Sequence, residues 1–267
     1  MNMAEVGYQV KNSVLYTVGS EETEPLDGWP YDTMLAALSQ QSDMLPTDLS
    51  KLIVRHCIDS YKGSGEAVTQ SALDLSVSPA LASAVKSLVT ALKAGLKNST
   101  TRMAIADARN CVQEYDIPDN IIDLMDFCQL LKESSIPATM KSACDPVISA
   151  IRWNSGFVIS SGYYGAPMRR SNGVAIYFPT RIISPLYSRL DFVKKTGWGT
   201  FLKAYINEKI IDYWCQRVSG LEYLSGCKKR MGDIWDGFFS SYRRTEGIAW
   251  DCLMSCYETI DFVPPFC

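Results

Sequence analysis

The residues best placed to do chemistry are the carboxylates of Ser20-Glu21-Glu22-Thr23-Glu24-Pro25-Leu26-Asp27-Gly28-Trp29-Pro30-Tyr31. Pro25 and Gly28 shape a turn there, and Trp29 offers a pocket wall. The acids attract a cation, most naturally a guanidinium, which a carboxylate binds through two parallel hydrogen bonds. Asp27, beside Gly28, is one candidate for the acid that holds it, with Thr23 as an accessory hydrogen-bonder; Glu24 and Glu22 are the others. Trp29 and Tyr31 either pack on the aliphatic stem of that cation or anchor a core. The competing reading is a solvated acidic loop whose carboxylates cap the helix that starts near Tyr31. A second feature, the pair His56-Cys57, suggests a catalytic dyad, and His56 is the only histidine. Both lie within one helical pattern, where adjacent side chains do not face each other, so the spacing predicts an ordinary helix residue.

The element that positions the acidic loop is the run Val14-Leu15-Tyr16-Thr17-Val18. It reads as a strand buried on both faces, as in a parallel sheet. In open parallel sheets, ligands bind beyond the carboxyl ends of the strands. Around it, helices are predicted over Met3–Lys11, over Asp32–Gln40 with Met34, Leu35 and Leu38 inward, and from Asp48 to Lys62 with Thr47 as cap. Ala67–Ser76 reads as a strand. Ser78-Pro79 opens a helix with a stripe from Leu81 to Leu96. Further helices are expected from Ser99/Thr100 to Tyr115, over Ile121–Lys132 (apolar nearly all round), over Ala138–Arg152 and from Trp198. Phe157–Ser161 and Gly173–Phe178 read as the strands of a hairpin whose long connection projects, carrying Arg169-Arg170 at its tip. The tail is aromatic and Cys-rich, with a helix over Met231–Tyr242.

The acidic loop, SEETEPLDGWPY, resembles the "SEE-x-EPG-x-GWPY" loop of the clostripain-type cysteine peptidases, a branch of the caspase-like fold. That family carries its nucleophile in a segment like "D-A-C-L-M-G-x-x-E", and Met1-Asn2-Met3-Ala4-Glu5-Val6 is similar to it from the Met onward. The likeness continues through Ala72–Ser76, Ala108-Arg109, Ile122–Phe127 and Gly173–Pro179, covering roughly residues 1 to 207. Two departures stand out. In that register the catalytic Cys lies two positions before Met1, and the Asp-His-Gly motif of the catalytic His is absent. Leu26 also replaces a Gly of the loop.

The resemblance implies an α/β fold: a partial caspase-like parallel-sheet sandwich, followed by a mainly helical region with a β-hairpin. Residues 1–78 are then the second half of the core, 79–207 a helical domain, and 208–267 a tail. It implies an endopeptidase that cleaves after Arg or Lys. An upstream His activates an upstream Cys, and the thiolate forms an acyl-enzyme that is hydrolysed. This chain contributes no catalytic residue but a wall of the S1 pocket, built from Asp27, Thr23, Glu24, Glu22 and Trp29. The partners implied are peptides bearing Arg or Lys and an N-terminal segment or chain that carries the catalytic His and Cys. No cofactor is required; the family allows calcium, with no site identifiable here. The other reading is a catalytically inactive caspase-like pseudoenzyme that binds basic peptides. A third is a helical interaction protein with a vestigial cleft.

Composition limits the remaining choices. A net charge of −3 disfavours a nucleic-acid partner. No apolar run reads as long enough to span a bilayer, and the polar start does not read as a signal peptide. The family is usually exported, so the resemblance implies a secreted or surface location. Of nine cysteines, Cys57, Cys111, Cys128 and Cys144 read as buried small hydrophobes. Cys215, Cys227, Cys252, Cys256 and Cys267 crowd the tail, where disulfides are expected over zinc. With half a parallel sheet missing, Val14–Val18 is expected to expose an apolar edge.

Overall fold

The computed structural model describes residues 2–115, 120–153 and 156–218, with side chains as far as residue 209. Two compact units divide at Ile206/Asn207. The expected tail helix over Met231–Tyr242, and the side chains of Cys215, Cys227, Cys252, Cys256 and Cys267, lie outside the described residues.

The expected mixture of helices and strands is observed. Its elements are α1 (Ala4–Val10), β1 (Tyr16–Gly19), α2 (Tyr31–Gln40), α3 (Pro46–Ser60), β2 (Val68–Asp74), α4 (Ser78–Gly95), α5 (Ser99–Cys111), β3 (Ile121–Asp123), α6 (Leu124–Glu133), α7 (Ala138–Ile151), β4 (Val158–Tyr164), β5 (Ala175–Tyr177), α8 (Asp191–Thr196) and α9 (Trp198–Val218). The helix at Pro46 starts with proline in its first turn, where the missing N–H costs nothing. Thr47 is therefore not its cap.

The strands form a three-stranded sheet ordered β1-β2-β4 and a two-stranded sheet β3-β5. All three strand pairings are antiparallel, where a parallel sheet was expected. The expected burial of Val14–Val18 also fails: Val14 and Leu15 are 43% and 63% exposed. Helix α3 covers one face of the sheet, where Tyr16 and Val18 join Val54, Ala72 and Ile159. Among the described residues β1 pairs on one side only, with β2, so it is an edge strand. Leu35, expected inward on α2, is 60% exposed, while Met34 is buried against Leu52 and Cys57.

The expected hairpin is corrected too. β4 pairs with β2 and β5 with β3, so the two segments belong to different sheets. Their connection folds inward rather than projecting, because Asn172 and Gly173 are held by buried carboxylates (below). Ile121–Lys132 is not one helix: Asp123 ends β3 and caps α6, its side chain accepting from Asp126 N.

The chain start links the two sheets. Asn2 N donates to Ser20 O at 2.8 Å, and Ala175 N donates to Asn2 O at 2.9 Å, with a parallel bridge between Met3 and Ala175. The Asn2 side chain donates to Gly19 O (3.0 Å), Ser71 O (2.8 Å) and Ser71 Oγ (2.8 Å).

Helix α4 is the centre of the helical layer, with Leu81, Val85, Leu88 and Leu92 wholly buried as it packs on α1, α7 and α8. The segment Leu75–Gly95 is long and apolar enough to cross a membrane by length and composition alone, which corrects the reading that no such run exists. Here packing takes up its apolar stripe. Beside it Phe178 meets Phe127, Trp198, Phe201 and Tyr205 edge-on, with ring centroids 5.1–5.6 Å apart. Buried Arg109 crowns the group, donating from Nε to Phe178 O at 2.8 Å and pairing with Glu114. Because every ring of this cluster contacts Phe178, Phe178→Ala should destabilise the protein by about 3–5 kcal/mol, read from denaturant unfolding. A loss under 1 kcal/mol would show that the cluster is not the core of this layer.

Candidate functional site

The site is built on the polar face of β2. Alternation along this central strand turns Gln70 and Ala72 toward α3 and Thr69 and Ser71 to the opposite side. Thr69 Oγ1 accepts from Glu21 N (3.0 Å) and Glu22 N (3.1 Å) and bonds Ser20 Oγ at 2.8 Å. These bonds fix the first turn of the acidic loop. Ser71 Oγ donates to Gly173 O at 2.7 Å. Gly173 has φ +98°, and a Cβ there would lie 2.9 Å from Val158 Cγ1, so only glycine fits comfortably.

Glu21 lies at the bottom, wholly buried. Its Oε1 accepts from the Tyr115 hydroxyl at 2.8 Å and its Oε2 from Gly173 N at 3.0 Å; the same hydroxyl reaches Oδ2 of Asp123, also fully buried, at 3.3 Å, so the two carboxyls flank one phenol. Asp123 accepts three N–H bonds, from Asn172 N (2.6 Å), Asn172 Nδ2 (3.1 Å) and Asp126 N (2.7 Å). Burial raises the Glu21 carboxyl well above the usual range, and the neighbouring Asp123 charge adds to this. Burial also lifts Asp123, to about 6, against the N–H donors that favour its ionised form. Two buried carboxyls flanking one hydroxyl cannot both ionise cheaply. The better-donated Asp123 is the one that ionises, and Glu21 keeps the proton.

The expected substrate-contacting residues fall into two groups. Glu22 is buried and turned back on its own loop, its Oε1 accepting from Thr23 N at 2.6 Å. Thr23, Glu24 and Asp27 are exposed. Glu24 Oε2 accepts from Trp29 Nε1 at 2.9 Å, and Trp29 stacks on Tyr31 with centroids 6.2 Å apart. Trp29 also packs against the Met34–Leu52–Cys57 cluster, so it is both rim and core. Tyr61 Oη donates to Gly28 O at 2.8 Å, holding the far end of the loop. Burial raises its phenol, and Asp27 and Glu24 add to that, so both carboxylates direct their field at one place. Between loop and sheet lies a slot of about 10 Å³ lined by Glu24, Pro25, Trp29, Cys57, Tyr61 and Gln70 among others, room for roughly one water.

His56 and Cys57 point apart. His56 Nδ1 bonds Thr33 Oγ1 at 3.0 Å, while Cys57 is buried against Gln70 Nε2 at 3.5 Å. Burial, with help from Glu24, pushes the Cys57 thiol up to about 12, so it is no thiolate nucleophile. Cys128 and Cys144 are buried free thiols as expected, whereas Cys111 is disulfide-bonded. Arg170, expected at the projecting tip, is instead held inward: it pairs with Asp126 at 2.9 Å and donates to Cys111 O at 2.8 Å. Arg169 remains exposed. Among the described residues no group of three His, Cys, Asp or Glu is arranged to hold a metal ion.

The sequence did not single out Glu21 from Glu22 and Glu24, or mark Tyr115 and Asp123 as its partners. The available signal was the row of matching segments around Asp123 and Gly173, which read as weak family likeness and turn out to be the two ends of one network.

A group whose pKa is raised by folding contributes stability below its unfolded value (3.8 for Asp123, 4.5 for Glu21), and that stability is lost as pH rises through the folded value. The wild-type protein should therefore lose stability as pH rises from about 4 through 6, the interval between the unfolded and folded values of Asp123, and further as pH rises through the raised value of Glu21. Glu21→Gln should flatten that loss, measured by urea unfolding across pH. Parallel pH profiles would mean that the pair does not share a proton.

A family model described as the clostripain family matches residues 1–214. Among solved structures the chain is similar to an inactive zymogen C11 protease from Parabacteroides distasonis, with 19% identity and a TM-score of 0.53, covering 73% of this chain and 56% of that one. It is similar also to a secreted C11 cysteine protease from Bacteroides thetaiotaomicron in complex with an irreversible peptide inhibitor, with 19% identity, a TM-score of 0.53 and 74% and 56% coverage. A third is a clostripain from Bacteroides thetaiotaomicron in complex with the peptide inhibitor BTN-VLTK-AOMK, with 15% identity, a TM-score of 0.53 and 73% and 82% coverage. These likenesses show a shared fold. The chain spans 56% of the length of the first two structures. A comparison with curated proteins finds no match. With the family model covering most of its length, the chain belongs to the clostripain family.

Proposed function

We propose that this chain is the substrate-pocket half of a cysteine endopeptidase that cleaves after Arg or Lys, and that it supplies the S1 wall but neither catalytic residue. The observation that carries this reading is the hydrogen bond from Asn2 N to Ser20 O at 2.8 Å. In the register that the resemblance implies, the family's nucleophile segment runs into Asn2, and this bond holds Asn2 beside the acidic loop. The exposed edge of β1, with Val14 and Leu15 uncovered, is the docking line for the segment that carries the catalytic His and Cys.

Within the loop the roles divide. Glu22 is closed on Thr23, and Glu24 is held by Trp29. Asp27 is exposed, takes part in no such bond, and stands near Tyr61 with Glu24, so it is the acid that meets the substrate cation. Thr23 accompanies it, and Trp29 and Tyr31 supply an apolar wall for the alkyl stem. Support comes from the inhibitor of one structural neighbour, whose peptide VLTK ends in lysine. In the complete site a His-activated thiolate attacks the scissile carbonyl, the amine leaves, and water releases the acyl group. An exported location fits the secreted neighbour and the Cys111 disulfide.

Removing one partner of a desolvated charge pair costs several kcal/mol. Asp27→Ala, in protein that carries the upstream segment, should therefore raise KM for Arg substrates at least tenfold with kcat changed far less. An unchanged KM and kcat would remove Asp27 from the pocket. Arg-peptide binding without turnover by that same protein would instead favour the pseudoenzyme.

A further inference from the structure

We infer that Tyr61 is a positioning residue for substrate binding, whose hydroxyl fixes the turn that presents Asp27. The inference deepens the reading of Asp27 as the acid that meets the substrate cation, and it rests on that reading. Asp27 lies in the turn Pro25-Leu26-Asp27-Gly28, which Gly28 N closes by donating to Pro25 O at 3.1 Å. Gly28 has φ +68°, and a Cβ there would meet nothing within 4 Å. Glycine is therefore favoured by the backbone conformation of the turn and not by crowding. Leu26 and Asp27 are both exposed. A turn that stands in solvent makes few contacts of its own, so the groups that grip its ends decide where the Asp27 carboxylate stands.

Two side chains grip it. Trp29 Nε1 donates to Glu24 Oε2 at 2.9 Å, which links the residue before Pro25 to the residue after Gly28 and so shapes the loop. Tyr61 Oη donates to Gly28 O at 2.8 Å from the end of α3, which ties the turn to a different element through the residue that follows Asp27. Tyr61 is itself braced. Its ring is buried and borders the slot beside Cys57 and Gln70. Its carbonyl accepts from Ser64 N at 3.0 Å and from Ser64 Oγ at 2.7 Å. In the same short segment Gly63 N donates to the hydroxyl of Tyr164, at the end of β4, at 2.8 Å. A line of hydrogen bonds thus runs from the three-stranded sheet to the Asp27 turn. A carboxylate that receives a guanidinium through two parallel bonds needs a fixed orientation. Without the Tyr61 hydroxyl the turn still closes, but Asp27 has to be ordered at each binding event, and that cost falls on substrate affinity and not on the chemical step.

The test uses protein that carries the upstream segment and an Arg-peptide substrate, comparing the wild type with Tyr61→Phe, Asp27→Ala and the double variant. Phenylalanine keeps the buried ring and removes only the hydroxyl. Tyr61→Phe should raise KM about fivefold, the worth of one hydrogen bond, with kcat within about twofold of the wild type. In the Asp27→Ala background the same substitution should change KM by less than about twofold, because no carboxylate is left to position. An equal change of KM in both backgrounds would make Tyr61 a structural residue only and overturn the inference. So would an unchanged KM for Tyr61→Phe beside a raised KM for Asp27→Ala. An unchanged KM for Asp27→Ala is a different failure: it removes Asp27 from the pocket, and this inference with it. If the protein binds the peptide without turnover, its Kd takes the place of KM in the same comparison. If Tyr61→Phe does not fold, Tyr164→Phe cuts the same line of hydrogen bonds further from the turn, and KM must then rise in the wild-type background and not in Asp27→Ala.

Discussion

Two buried carboxyls that flank one hydroxyl are tolerable only if one of them keeps its proton, and the described fold is arranged around that constraint. Glu21 ends the β1 turn, Asp123 ends β3 and starts α6, and Tyr115 follows α5. The Asn172–Gly173 connection joins β4 to β5 and presents two backbone N–H groups to the pair. Segments far apart in the chain are thus tied at one polar point under the acidic loop. Burying these groups without partners would cost several kcal/mol, so the loop, the α6 cap and the connection have to form together.

A second buried acid follows the same logic. Glu5 Oε1 accepts from Tyr177 N at 2.9 Å and from the Tyr187 hydroxyl at 2.7 Å. Burial raises its carboxyl, so this acid too is held toward its neutral form, and it fastens α1 to β5. The rim acids differ. Glu24 and Asp27 are exposed, Glu24 accepting from Trp29 Nε1. One loop therefore carries acids of two kinds: an inner carboxyl that anchors and outer ones that face solvent.

Much of this was legible in the sequence. The acidic loop, most helices and the strand at Val68–Asp74 follow from turn residues, apolar stripes and proline positions. What misled was locality. The spacing of Phe157–Ser161 and Gly173–Phe178 matches a hairpin, but the Gly173 amide is claimed by Glu21, a residue 152 positions away, and no local pattern reports that. Ile121–Lys132 is apolar all round because a buried strand and a buried helix follow one another, and only the capping role of Asp123 separates them. Val14 and Leu15 look like core by composition, yet they precede an edge strand covered on one face. Which glutamate of Glu21, Glu22 and Glu24 turns inward depends on Thr69 and Tyr115, which the linear motif does not contain.

The most direct test of the shared proton is a ¹³C NMR titration of the Glu21 and Asp123 side-chain carboxyl carbons from pH 3 to 9. One ionisation near pH 6, borne mainly by Asp123, with Glu21 giving up its proton only at higher pH, is the predicted result. If both carbons titrate fully below pH 5, the pair carries two charges, and the fold is not organised around a retained proton.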